Sequence, residues 1–468
     1  MKSLPPRAGD RVRVPGHGEG LVVRVRPGGR VQVRFDRAPE LPWTVDAGDC
    51  EAILDIAGRP DAPAAPVTRR AAPASARRAP PNPIESAELR QTVEAIRLGI
   101  VPARHVRRYT VGREDETRAL DRLLAERFGL RVVWGDYGAG KTHFLDIAEQ
   151  KALEEGFVAA RIVVDPRESK VTNPKRLYES IAAALTYPDG SGQGMESLMR
   201  RLVDSDAHRS PEGASFSRFF SPYLHALHAR HDEAIDWMSD YLGGYSMDAY
   251  DLGRALHRAG WRGPQPLLLS DYRTYGRMYV HMLGTLAAWS RDAGFSGLVL
   301  LIDEVEFVDD LNRENRRWAV EVLSHVAAIS CDEDALGFDP ESLYRGGQPV
   351  HQALPLRFRD DLPLVSIFAL TMLPDIRSLM DSIVADPELS IVLRTLGRKD
   401  LPVLIDRITS LYADAYPDFT VDSGVVADSI ERVSREIHDG QSGARQMVRA
   451  AVGLLDDVRW RHWQDARR

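Results

Sequence analysis

A chain of 468 residues, 44% hydrophobic and 28% charged, is long enough for several buried cores, and none of its apolar runs approaches the roughly 20 residues of a membrane span. The amino terminus "MKSLPPRAGD" lacks the apolar heart of a secretory signal, and Cys50 and Cys331 are too far apart in sequence for a disulfide framework or a cysteine-based zinc site, so a cytoplasmic protein is expected, with both cysteines as small buried hydrophobes. The net charge is −7, but residues 1–84 carry 14 Lys+Arg against 9 Asp+Glu, or +5, which leaves −12 for the rest; this asymmetry points either to an anionic partner near the amino terminus or to a basic solvated segment.

Residues 1–57 alternate apolar and polar side chains: Val12 and Val14, then Val23 and Val25, then Val31, Val33 and Phe35, with "RPGGR" as a hairpin turn. The pattern predicts a small SH3-like or Tudor-like β-barrel. Its arginines Arg24, Arg26, Arg30, Arg34 and Arg37 suit nucleic-acid phosphates or the wet face of a protein-docking module equally well. Residues 58–83 are Pro, Ala and Arg without hydrophobic period and read as an extended linker.

From residue 84 to about 399 the pattern is α/β. A helical stretch over 84–102 precedes "VGRE", and the amphipathic segment that follows sets Leu120, Leu123 and Leu124 on one face. "LRVVW" then reads as a buried strand leading into "GDYGAGKTHF", where Gly135, Gly140, Lys141 and Thr142 fit G-x-x-x-x-G-K-[ST]. Glycines at 135, 138 and 140 let successive N–H groups turn toward an anion, and the next helix adds its positive end. Asp136, Tyr137, Ala139 and His143 complete the loop around the phosphates of ATP. Lys141 is expected on the β- and γ-phosphates and the Thr142 hydroxyl on Mg2+. Only six lysines occur in the chain, which singles out the one in this loop.

Further along, 157–165 predicts a second strand and 188–263 a helical insertion. Within it His225, His228 and His231 recur at three-residue steps, read with His208 as solvated or packing histidines rather than metal ligands. "SGLVLLIDEVEF" supplies a central strand, Leu298 to Ile302, with Asp303 and Glu304 at its carboxyl end. Asp303 is the expected Mg2+ ligand and Glu304 the group that activates water, with Glu306 second in line. A strand over 362–374 ends near Thr371. A last strand then leads into a helix capped by Asp400, and residues 400–468 form an α-helical lid.

From Ile84 onward, "IRLGIVPARHV", "VGRE", "GDYGAGKTHFLDIAEQKALEEGFVAARIVVD" and "LIDRITSLYADAY" resemble the P-loop ATP-binding proteins of bacterial BREX phage-defence systems, BrxD type, with Thr142 where serine is more usual. The resemblance implies an AAA+ ATPase of the initiator or STAND-related kind, with partner defence proteins, a homo-oligomer and DNA as expected associates. "VGRE" resembles the segment beside the adenine, so Gly112 and Arg113 join the cofactor set. Thr371 resembles sensor 1 and Arg445 sensor 2, while Arg394 and Arg398 are candidates for an arginine finger acting on a neighbouring subunit. A STAND-type switch that holds ATP with little turnover is the alternative, and a small-molecule kinase ranks third because no substrate-pocket signature accompanies the loop.

Overall fold

A computed structural model of the chain describes residues 11–15, 18–26, 30–35, 38–46, 50–52, 83–100, 102, 105–165, 170–245, 247–346, 348–417 and 444–465. The chain divides into two compact units, Met1–Arg78 and Ala79–Arg468.

The first unit is an antiparallel sheet of β1 (Arg11–Val14), β2 (Gly18–Arg26), β3 (Arg30–Phe35), β4 (Ala38–Asp46) and β5 (Glu51–Ala52), in the order β4-β3-β2-β1-β5. Val12, Val14, Val22, Val31, Val33 and Cys50 form its core. Val22, one residue before the expected Val23, is buried, and the β2–β3 register shifts between Val22 and Arg24, so that Val22 pairs with Val33 and Val25 with Val31. A bulge of this kind flips the inward set by one position, which period-two counting does not anticipate. The expected turn at 27–29 and the 58–82 part of the linker lie outside the described residues.

The second unit is built on a six-stranded sheet: β6 (Gly129–Gly135), β7 (Val158–Val163), β8 (Leu185–Thr186), β9 (Leu298–Asp303), β10 (Leu364–Thr371) and β11 (Ser390–Leu393), ordered β11-β6-β10-β9-β7-β8. All neighbours are parallel except β7 with β8. Both faces are covered. Leu130, Val132 and Trp134 of β6 join one core, and Val133 joins the other, as do alternate residues of β9 and β10. Burial on both sides explains why these strands read as unbroken apolar runs.

On one face lie α1 (Pro83–Leu98), α2 (Glu114–Glu126) and α3 (Lys141–Glu154). On the other are α4 (Pro174–Ala184), α5 (Met195–Leu202), α6 (Ser221–Ala229), α7 (Asp232–Leu242), α8 (Ala249–Arg258), α9 (Gly276–Asp292), α10 (Arg313–Ser330) and the short α11 (Pro349–Gln352) and α12 (Pro374–Ile383). Helix α9 is buried from Gly276 through Ser290. Helices α13 (Leu401–Ala415) and α14 (Ala444–Asp465) pack on α1, where Asp456 accepts from Arg97 Nε at 2.7 Å and from the Tyr412 hydroxyl at 2.7 Å. The expected lid helix over 421–437 lies outside the described residues. No described helix is long and apolar enough to cross a membrane.

Two local expectations are corrected. His225 and His228 lie on α6, but that helix ends at Ala229 with Arg230 left-handed, and His231 starts α7 by accepting from the Ala234 N–H at 3.3 Å, so the three do not share one helix face. Asp400 occupies the N-cap position of α13 without capping it; its carboxylate is taken instead by Arg394, at 2.6 and 2.8 Å, and by the Gly397 N–H.

Candidate nucleotide site

Strand β6 ends at Gly135 and α3 begins at Lys141, so the loop between them is aimed by a buried strand and closed by a helix N-terminus. Gly138 and Gly140 take φ of 79° and 94°, a region that side-chain-bearing residues rarely occupy. Asp136 and Tyr137 are exposed at the tip, while Ala139 is fully buried.

Lys141 is 9% exposed. Its Nζ donates to the Gly135 carbonyl at 3.1 Å and to Thr371 Oγ1 at 2.8 Å, and lies 3.8 Å from Glu306 Oε1. The Thr371 hydroxyl in turn donates to Glu306 Oε1, while Glu306 Oε2 is buried without a partner. Parallel register makes this possible: Thr371, the last residue of β10, pairs with Gly135, the last of β6.

The acidic strand β9 lies beyond β10, and Asp303 at its end is buried. Its Oδ2 accepts from Thr142 Oγ1 at 3.4 Å and from Arg161 Nη2 at 3.1 Å, and its Oδ1 accepts from the Glu304 N–H at 3.0 Å. Arg161, on β7, also pairs with Asp146 of α3. Burial opposes the Arg161 charge, but the two carboxylates outweigh it and its pKa is raised. Glu304 adopts a left-handed φ of 58° and is partly buried. Burial first, then the charges of Asp303 and Glu306, push its carboxyl above the usual range against the pull of Lys141.

Arg113, almost wholly buried, donates from Nη2 to the Ala139 carbonyl at 2.5 Å and holds the P-loop from outside; burial lowers its pKa. Gly112 is left-handed, with φ 64°, a region that favours glycine, and a Cβ there would displace the Arg394 guanidinium, whose Nη2 would lie 2.1 Å away. His143 hydrogen-bonds Thr110 Oγ1 at 2.9 Å, and burial with the nearby Arg113 charge pushes its pKa down to about 4.

Lys141, Thr142, Asp303, Thr371 and both glutamates therefore meet at the carboxyl ends of β6, β10 and β9. Arg394 is tied to Asp400 beside Gly112. Exposed Arg445 lays its stem near Gly99, at the end of α1, and the backbone of Arg398 forms part of a 3-10 turn before α13. The sequence reading missed Arg161. A lone arginine at the centre of a strand carries no motif, and only the sheet order brings it to Asp303.

The donor set fits a nucleotide phosphate and a hard divalent cation. Two left-handed glycines and a helix N-terminus form the cradle, the lysine is held at its mouth, and the Thr142 hydroxyl and Asp303 carboxylate offer adjacent oxygens. The buried, partnerless Glu306 Oε2 is a further polar atom at the site awaiting a donor.

Residues 84–246 match the family model described as BREX system ATP-binding protein BrxC/D. No curated protein matches the chain. Among solved structures, the Aeropyrum pernix ORC1 protein in complex with DNA aligns at 13% identity and a TM-score of 0.33, covering 78% of this chain and 64% of that one. Drosophila ORC bound to DNA aligns at 12% identity and a TM-score of 0.33, covering 84% of this chain and 66% of that one. The chain thus spans just under two thirds of the length of each. In the segment that carries the P-loop, residues 84–246, the chain is similar to the BREX system ATP-binding proteins BrxC/D, the family its sequence resembles.

Proposed function

We propose that the protein is an AAA+-type ATPase of a BREX-like anti-phage system, a P-loop core with helical insertion and α-helical lid behind an SH3-like amino-terminal unit, which binds ATP with Mg2+ in the cytoplasm and hydrolyses it. The observation that carries this reading is the convergence of Lys141 on Thr371 and Glu306 beside the Thr142–Asp303 pair.

In this reading Lys141 exchanges the Thr371 hydroxyl and Glu306 for phosphate oxygens. Thr142 and Asp303 hold the metal, and Arg161 turns Asp303 to face Thr142. Mg2+, when bound, supplies charge neutralisation at the β- and γ-phosphate oxygens. Glu304 takes the proton of the attacking water; a carboxylate with a raised pKa is a better acceptor for that task, and its left-handed backbone is the kind of local strain that functional sites hold. Thr371 reads the γ-phosphate, and Arg113 keeps the loop in shape through Ala139. Arg445 as sensor 2 and Arg394 or Arg398 as a finger rest on the resemblance; for Arg394 the finger role requires release from Asp400.

The output we infer is assembly, as a homo-oligomer, on DNA without sequence preference or on partner defence proteins. A second reading, a switch that binds ATP and hardly turns it over, is favoured by the way Thr371 and Glu306 already satisfy Lys141 within the chain. Phosphate release at saturating ATP and Mg2+, with and without duplex DNA, tests the proposal. Turnover lost in Glu304→Gln supports the ATPase; ATP binding with no turnover under either condition supports the switch.

A further inference from the structure

The amino-terminal turn of α9 holds a buried guanidinium whose best face has nothing on it. Arg277 is 4% exposed. Its Nη1 reaches the Leu354 carbonyl only at 3.5 Å, and its Nε and Nη2 are buried without a hydrogen-bond partner. Those two nitrogens lie along one edge of the guanidinium plane, the edge that grips two oxygens of a single oxyanion. Among the described residues no carboxylate pairs with Arg277, and the nearby charge that acts on it is that of Arg345.

Two histidines flank the same turn. His325 of α10 is fully buried, and a Cβ on Gly276 would lie 2.9 Å from its ring. Its Nδ1 donates to the Glu321 carbonyl at 2.7 Å, which leaves Nε2 a bare lone pair, and that atom too is buried and partnerless. His351 packs its ring 4.2 Å from that of Tyr275, the N-cap residue just before α9, and its Nδ1 is likewise buried without a partner. Tyr275 gives the helix no side-chain cap, so the positive end of a 17-residue helix faces the same place. Four orphaned polar atoms on three neighbouring residues are not what a finished core looks like, because each forfeits its hydration for nothing.

We propose that Arg277, His325 and His351, at the start of α9, form a binding site for a phosphate group bearing one protonated oxygen, separate from the P-loop. Two unprotonated oxygens that share the anion's charge fill the Nε/Nη2 edge of Arg277, the helix end favours that charge, and the P–OH donates to the lone pair of His325. An ionised carboxylate satisfies Arg277 but offers His325 only another lone pair. Inorganic phosphate and the singly ionised phosphoryl end of a monoester share the required chemistry.

The test uses the full chain carrying Lys141→Ala, so that the P-loop is silent, and measures equilibrium binding of inorganic phosphate, phenyl phosphate and acetate at about pH 6, where a large fraction of a phosphate monoester keeps its P–OH. Saturable binding of phosphate, lost by about tenfold or more in both Arg277→Met and Arg277→Lys, is expected, because lysine keeps the charge without the fork. Binding of inorganic phosphate alone marks a closed site for the free ion, and binding of phenyl phosphate as well marks one for a phosphorylated ligand. Arg277→Lys keeps the test open if Arg277→Met does not fold. No saturable binding of either phosphate, equal affinity in the Arg277 variants, or acetate binding as tightly as phosphate overturns the proposal.

Discussion

Thr371 Oγ1 stands 2.8 Å from Lys141 Nζ, accepting from the lysine while it donates to Glu306. One hydroxyl at the end of β10 thus links the P-loop cation to the acidic turn after β9. Thr371→Val keeps the shape and removes the link. If Lys141 binds phosphate as proposed, it does so without Thr371, and ATP affinity should change by only a few-fold, whereas hydrolysis should fall by about tenfold or more with loss of the polar group proposed to read the γ-phosphate. Nucleotide titration and phosphate release on the same preparation check both halves.

Glu304 carries a backbone conformation that L-residues avoid at a cost of about 1–2 kcal/mol. Glu304→Gly should therefore abolish turnover yet raise stability, by up to about 1 kcal/mol after the extra entropy of glycine is subtracted. A denaturant midpoint no higher than that of the wild type contradicts the strain reading.

His281 is buried on α9 and donates from Nδ1 to the Pro355 carbonyl at 3.0 Å; burial pushes its pKa down to about 4 despite that bond. With the folded pKa below the unfolded value of about 6.5, the unfolded chain binds the extra proton. The contribution is therefore intact above about pH 6.5 and lost as pH falls toward 4, by about 3 kcal/mol at most. Urea unfolding of His281→Gln, whose amide can still donate to Pro355, should show a shallower acid limb than the wild type.

If the amino-terminal unit guides the chain to nucleic acid, its net +5 over residues 1–84 must act on phosphates. Deleting those residues should then weaken duplex binding and flatten its salt dependence while ATP binding is unchanged. A truncated chain that binds DNA as the full one does would make the unit a protein-docking module.

What the sequence shows of this protein is what local chemistry dictates. Gly135 to Thr142 and Leu298 to Glu304 announce themselves because phosphate cradles and buried acidic strands demand those residues in that order. Sheet order is not local: that Thr371 pairs with Gly135, or that Arg161 reaches Asp303, follows from strand neighbours far apart in the chain. Helix α9 gives no amphipathic stripe because it is buried all round. Asp400 reads as a cap, yet Arg394 and the Gly397 N–H compete for the same carboxylate and win.

The proposed roles of Lys141 at the phosphates and of Glu304 in their hydrolysis are separated by one comparison. ATP binding and single-turnover phosphate release are measured on wild type, Lys141→Ala and Glu304→Gln. No ATP binding is expected in Lys141→Ala, and retained binding with hydrolysis slowed by roughly 100-fold or more in Glu304→Gln. Unchanged ATP affinity in Lys141→Ala, or wild-type turnover in Glu304→Gln with turnover lost instead in Glu306→Gln, would contradict these roles.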